Sequence, residues 1–338
     1  MINEPIFFER NRVGRVYLGG KLFADFFGDE PIDGFKPEEW IASNVKAMNK
    51  IQESPKEGIS KIKGFDIYFD ELLNKYPEEM LGSKKNFRIL VKALDSAIRL
   101  PAQAHPDKAF SKKYFKSGFG KTECWVILDT RPDAKIFLNF KDNITKELFE
   151  QAIEKSEYDK NAMEELMLDI TPKVGDVYLV PARTIHAIGK GCLILEIQEP
   201  TDFTIQPERL CGDYKLSDYE MYLGIPKEDA VTCFDFENKP EAQIVSTTVT
   251  DINGLKIESL INESHTDCFI INRITLSDSE YIPNIIDSYA IYVVIDGSIE
   301  ISNNEYRKTV KKGDYFFMPA SQMSNYKFSG NASIIECY

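Results

Sequence analysis

One stretch of this chain occurs twice, and the two copies limit the folds open to it. Residues 175–188 read GDVYLVPARTIHAI and residues 313–326 read GDYFFMPASQMSNY. Each begins Gly-Asp, runs through four apolar or aromatic residues and reaches Pro-Ala at the same spacing. Gly-Asp ahead of a short Val/Tyr/Phe-rich run reads as a turn feeding a buried strand. Its recurrence far along the chain reads as two related β-modules. Eleven residues after the glycine the first copy has His186 and the second Ser324, so only the first kept a side chain of metal-ligand type. Chemistry is therefore sought in the first two-thirds of the chain.

The second half supports this reading. Short runs rich in Val, Ile, Tyr and Phe occupy 176–180, 192–198, 244–249, 267–276, 290–295, 298–302, 314–318 and 331–336. Asp296-Gly297, between YVVI and SIEIS, is the dipeptide of a tight hairpin. Many short strands with regular turns form a sandwich or a barrel. Strands are also expected at 122–129 and 134–140, whereas the apolar run 86–98 fits either a helix or strands. Helical spacing appears near 65–82 and over 144–168, with Thr145 as N-cap and a polar break near 156–161. The expected layout is a first module over 1–240 that contains these helices and a second over 241–338.

Composition excludes several partners. At 338 residues and 43% hydrophobic content the chain can bury a substantial core. Its formal charge of −13 argues against a nucleic-acid backbone or an anionic membrane as partner, and an anionic small substrate needs a local basic pocket. No apolar run is long enough to span a bilayer and the first residues, MINEPIFFERNR, lack a signal-peptide core, so a cytoplasmic location is expected. The six cysteines are scattered without a CxxC pair and read as reduced, packed thiols. Oligomeric state is not legible.

Only three histidines are present: 105, 186 and 265. In LPAQAHPD, Gln103 and His105 lie two apart and share a side if the segment is extended. Glu123, in GKTECW, adds a charged oxygen at a strand start, and His186 adds a second imidazole. Two imidazoles and two oxygens suit Zn²⁺, and one negative charge among them leaves the ion a Lewis acid. The plainer reading is a hydrogen-bonded histidine at a strand end and a solvated Lys121. His265, in NESHTD, reads as a loop residue without a role.

The segments QAHPDK (103–108), GKTECW (120–125) and VPARTIHAIGKGCLILEIQEPTD (180–202) together resemble the signature segments of type I mannose-6-phosphate isomerases, zinc enzymes of the cupin superfamily. The resemblance spans roughly residues 10–215. It implies a mainly β fold of two cupin-like jelly-roll modules with a helical insertion. It also implies zinc on Gln103, His105, Glu123 and His186, and conversion of mannose 6-phosphate to fructose 6-phosphate through an enediol. By the same resemblance Lys121, on the side of its strand that Glu123 occupies, binds substrate oxygens or assists proton transfer. Asp202 is an acid/base or hydrogen-bonding candidate; from its sequence alone it reads as a turn or cap residue.

One position departs from the pattern. The family carries an arginine four residues after this aspartate, and here that residue is Gln206. Arg209, three residues on, is the candidate to replace it. A neutral amide lacks a guanidinium's charge and paired donors, so a cupin-type sugar-binding protein without catalysis, or with altered specificity, is the alternative. An iron oxygenase is disfavoured by the glutamine ligand. Lys108, Lys112 and Lys113 read as a solvated helix face that adds positive potential near His105.

Overall fold

The computed structural model describes residues 2–338. Its first sheet has seven strands in the order Arg12–Val13, Glu38–Ile41, Leu90–Ser96, Cys192–Gln198, Glu123–Thr130, Val177–Val180 and Gln243–Ile244. A three-stranded sheet, Met167–Ile170, Ile136–Phe140 and His186–Ile188, covers one face of it. Trp125, Ile127 and Ile194 of the large sheet share a core there with Ile136, Leu138 and Ile188 of the small one. The second system runs Thr247–Ile252, Leu255–Ile261, Ile271–Tyr281, Lys327–Cys337, Ala290–Ser302 and Arg307–Lys311, with Tyr315–Met318 also paired to Ala290–Ser302. The fold is thus mainly β, with two cupin-like jelly-roll modules and short helices inserted in the first.

Strand alternation explains how the modules join. On Leu90–Ser96, Val91 and Ala93 point to one side, and Lys92 and Leu94 to the other. The Val91 side continues through Cys124, Val126 and Ile197 into Ile271, Ile291, Phe317 and Ile335 of the second system as one shared core. Burying one such side chain contributes roughly 1.5–3 kcal/mol, so pulling the modules apart would expose many at once. The Lys92 side faces the small sheet and holds the polar site.

The repeat is reproduced atom for atom at its start. Gly175 and Gly313 have φ of 92° and 85°, the left-handed region that favours glycine. Their N–H groups donate to Ile127 O and Val294 O, both at 2.9 Å. Asp176 and Asp314 each accept from the backbone three residues earlier, Lys173 and Lys311, at 2.9 Å. Past Pro-Ala the copies part: the first enters the strand His186–Ile188, the second a 3-10 turn, Ala320–Asn325.

Three local expectations are corrected. Asp296-Gly297 is not a hairpin turn: Ala290–Ser302 runs through it as one strand of 13 residues with a bulge between Val294 and Asp296. Gly297, at φ 70°, absorbs the bulge, and a Cβ there would lie 2.1 Å from Asn331 O. The helical region near 65–82 is two short helices, Phe69–Lys75 and Pro77–Leu81, because Pro77 has no N–H with which to continue the first. Of 144–168 only Lys146–Lys155 is α-helix, capped by Thr145 as expected; Leu148 faces solvent, and Met167–Ile170 is a strand.

Candidate metal centre and cavity

Pro101 and Pro106 bracket Gln103–His105 and keep it extended. The segment lies beside His186: Gln103 N donates to His186 O and His186 N to Gln103 O, both at 2.9 Å. That pairing sets the Gln103 and His186 side chains on one face. Arg183 N donates to His105 O at 2.7 Å and ties the turn before His186 to the same segment. Glu123 opens the strand Glu123–Thr130, opposite Val180 and Gln198.

His105, Glu123 and His186 converge, all buried, with one donor atom of each within 4.8 Å of the others. His105 Nε2 is 3.0 Å from Glu123 Oε2 and 3.2 Å from His186 Nε2, which is 3.3 Å from Glu123 Oε1. Each imidazole gives its Nδ1–H to a carbonyl, His105 to Phe203 O at 3.0 Å and His186 to Thr184 O at 2.9 Å. Both Nε2 atoms are therefore lone-pair acceptors aimed at one place, the tautomer and orientation of metal-bound histidine. Two imidazole Nε2 acceptors and a carboxylate oxygen gathered at one place are a donor set that fits a divalent ion. Trp125 Nε1 donates to Glu123 Oε1 at 2.9 Å and fixes its rotamer.

Lys121 adjoins this cluster. Its ammonium lies 2.9 Å from Glu123 Oε2, 2.7 Å from His105 Nε2 and 3.8 Å from Glu196 Oε1. Its backbone is held by Glu199, which accepts from Gly120 N and Thr122 N, and by Thr201, whose hydroxyl donates to Gly120 O. Burial would push the Glu123 carboxyl up, but Lys121 and the two imidazoles outweigh it and hold it well below its ordinary range. Burial and then Lys121 bring His105 down to about 3; burial lowers His186 as well, against the pull of Glu123.

Beyond Gln103 and Lys121 opens a cavity of about 370 Å³, within the roughly 300–1,000 Å³ of small-molecule sites. Its wall carries charges that the sequence reading did not single out: Arg15, Glu38, Lys92 and Glu196. Strand register builds this wall, since Trp40, Lys92, Glu196, Trp125 and Tyr178 stand on one rung across five strands. Glu38 accepts from Arg15 Nε, Tyr17 OH and Trp40 Nε1. Burial pushes its carboxyl up, yet Arg15 and Lys92 prevail and hold it at about 2. Glu196 pairs with Lys92 at 3.3 Å, and there burial wins and raises the carboxyl.

Asp202 lines the same cavity, with Oδ1 on Arg15 Nη2 at 2.9 Å and Oδ2 on Met48 N at 2.8 Å. Arg209 does not reach it, which corrects the expectation that it replaces a guanidinium there. Local acceptors capture Arg209: Glu157 at Nε, Leu216 O at Nη1 and Asp218 at Nη2. Gln206 does line the cavity, its amide donating to Glu220 O at 2.8 Å. Lys108 pairs with Asp267, and His265 accepts from Asn262 N in an exposed loop.

Residues 263–338 match the family described as mannose-6-phosphate isomerase, cupin domain. Mannose-6-phosphate isomerase ManA of Bacillus subtilis (strain 168) is 29% identical over 341 residues, covering 99% of each chain. The crystal structure of the mannose 6-phosphate isomerase from Bacillus subtilis superposes with a TM-score of 0.78 at 25% identity, covering 99% of each chain. A mannose 6-phosphate isomerase bound with zinc and yttrium has the same fold, with a TM-score of 0.74 at 17% identity over 99% of each chain. Along its whole length the chain is similar in sequence and fold to mannose-6-phosphate isomerases, and its residues 263–338 match their cupin domain.

Proposed function

We propose that this chain is a zinc-dependent isomerase that interconverts mannose 6-phosphate and fructose 6-phosphate. The observation that carries the reading is the pair of imidazoles, each committed through Nδ1 to a carbonyl, whose Nε2 atoms meet Glu123 beside a cavity of sugar size. The activity for which the relatives are named, and the zinc bound by a neighbour of the same fold, support it. In this reading residues 1–240, completed by the strand Gln243–Ile244, form the catalytic module and the remainder of 241–338 the supporting one. Gln103, His105, Glu123 and His186 would hold Zn²⁺, which supplies a Lewis acid for a substrate hydroxyl or carbonyl oxygen.

The remaining work falls to the chain itself. Isomerisation moves a proton between C1 and C2 and gathers negative charge on an oxygen as the enediol forms. Lys121, between the centre and the cavity, donates to that oxygen. A carboxyl facing the cavity that can take and return a proton suits the carrier's role. Glu38 is held too acidic and carries three donors. Asp202 has both oxygens committed, so it acts by hydrogen bonding. Glu196, raised by burial and facing the cavity, fits the task.

A coupled assay for fructose 6-phosphate, run on zinc-loaded, chelator-stripped and restored protein, tests the reading. Turnover that disappears and returns with the metal supports it; no turnover of mannose 6-phosphate by fully loaded protein refutes it. Gln206 on the cavity wall favours a second reading, sugar binding without conversion. Calorimetry showing tight hexose 6-phosphate binding by protein that does not turn it over would select that one.

A further inference from the structure

Among the described residues lining the cavity, Arg15 is the one arginine. It enters just past the strand Arg12–Val13, with its N–H on Phe35 O at 2.9 Å. Its guanidinium serves three separate stretches of chain. Nε donates to Glu38 Oε1, Nη1 to Asn49 Oδ1 and Nη2 to Asp202 Oδ1, each at 2.9 Å. A guanidinium has five N–H groups, so two remain for a ligand. The second oxygen of Asp202 accepts from Met48 N. Arg15 and Asp202 together therefore clamp Met48–Asn49 against the cavity. Without Arg15, Glu38 and Asp202 are two buried carboxylates with Lys92 the nearby cation, and Lys92 is 3.3 Å from Glu196 but 4.0 Å from Asp202. An ammonium is a point charge and cannot span three acceptors as a planar fork does.

We infer that Arg15 is a positioning residue for the isomerisation proposed above, on which this inference rests. It sets Asp202 and the Met48–Asn49 backbone and supplies from the N-terminal arm the guanidinium that neither Gln206 nor Arg209 brings to the cavity. The identity of the entering segment is secondary: what the site needs is a guanidinium against Asp202.

Three variants test this: Arg15→Gln, Arg15→Lys and the relocation Arg15→Gln/Gln206→Arg, each checked for zinc content. Misplacing a cavity wall costs up to about 100-fold, so R15Q should lose about that much in kcat/KM, with kcat taking the larger share. R15K, which keeps charge but not the fork, should lose roughly tenfold. The relocated arginine should recover roughly tenfold over R15Q, a gain that a merely structural role would not produce. Should R15Q fail to fold, the kinetic constants of R15K decide, and a relocated double variant that folds and turns over at least as well as R15K counts as recovery. Kinetic constants of R15K within about twofold of wild type, or no recovery on relocation, overturn the inference. If the wild type itself isomerises no hexose 6-phosphate, the isomerase reading falls, and affinity for mannitol 6-phosphate decides on Arg15. A several-fold loss in R15K that the relocation reverses supports the clamp, and unchanged affinity overturns it.

Discussion

Glu123→Gln separates the ion pair this carboxylate makes with Lys121 from the zinc binding proposed for it. The Lys121 ammonium is 2.9 Å from Glu123 Oε2, and the two side chains are 5% and 1% exposed. At an effective dielectric of about 20 that pair interacts by about 6 kcal/mol. The amide keeps the shape and a hydrogen bond, so the net loss should fall near the roughly 3–5 kcal/mol of a buried pair that loses one partner. Metal-free E123Q should unfold at correspondingly lower denaturant, in a single transition because the modules share a core. Its zinc affinity should fall at least about 100-fold, since the donor set loses its one charge and a donor far weaker than carboxylate replaces it. Denaturant unfolding of stripped protein and competition against a fluorescent zinc chelator measure the two effects separately. A stability change below about 1 kcal/mol would show that Lys121 does not depend on this carboxylate. An unchanged zinc affinity would remove Glu123 from the ligand set.

His186→Ala should lose zinc and turnover together while keeping its far-ultraviolet dichroism. Lys121→Ala should retain zinc but lose about 100-fold or more in kcat; equal metal loss in the two variants, by elemental analysis, would refute the separate role of Lys121. His105 is depressed to about 3 and His186 is lowered too, so the unfolded chain binds more protons than the native one below the ordinary imidazole value of about 6.5. Stability of the stripped protein should therefore be fully present above that pH, fall as pH drops through it, and go on falling toward 3; thermal melts that do not change between pH 7 and 5 would contradict this. Gly297→Ala should destabilise by about 2 kcal/mol or more from left-handed strain and the clash with Asn331 O, whereas the same change at an ordinary strand position stabilises by roughly 0.5–1 kcal/mol.

The convergence of His105, Glu123 and His186 was legible because each candidate donor lies in a short motif where alternation alone sets direction. Gln103 and His105 are two apart, Lys121 and Glu123 are two apart, and His186 follows a turn marked by Gly-Asp. The cavity wall was harder to read. Lys92 in RILVKALD and Glu196 in CLILEIQ stand as single charges inside apolar strand runs, which is a local sign of a charge meant for burial. Their pairing depends on register between residues 104 apart in sequence, and that is set by tertiary packing. Arg209 misled because nearness in sequence to Gln206 says nothing of direction, and Glu157 and Asp218 offer it closer acceptors. Asp296-Gly297 misled because a tight turn and a bulge ask the same positive φ of glycine. The neighbouring strand Lys327–Cys337, paired along both halves, selects the bulge.

The second module shows how little the jelly roll itself dictates chemistry. Glu196 lies opposite Lys92 on one side and Trp125 on the other. At the matching rung Glu336 lies opposite Asn272 and Tyr292. The carboxyl persists, but its partners are neutral: Asn272 donates to one oxygen, and the hydroxyls of Tyr281 and Tyr292 to the other. Two residues before Trp125 stands Glu123, paired with Val180; two before Tyr292 stands Ala290, paired with Met318. The second copy thus lacks a counterpart of the Glu123 carboxylate as well as of the histidine, with Ala290 and Ser324 in their places. A histidine at 324 alone would rebuild nothing. It would sit in a 3-10 turn with no strand partner like Gln103 to aim it, and with no anion at the Glu123 position to meet it. The fold supplies the rung, and the side chains beside it decide whether it grips an ion or packs.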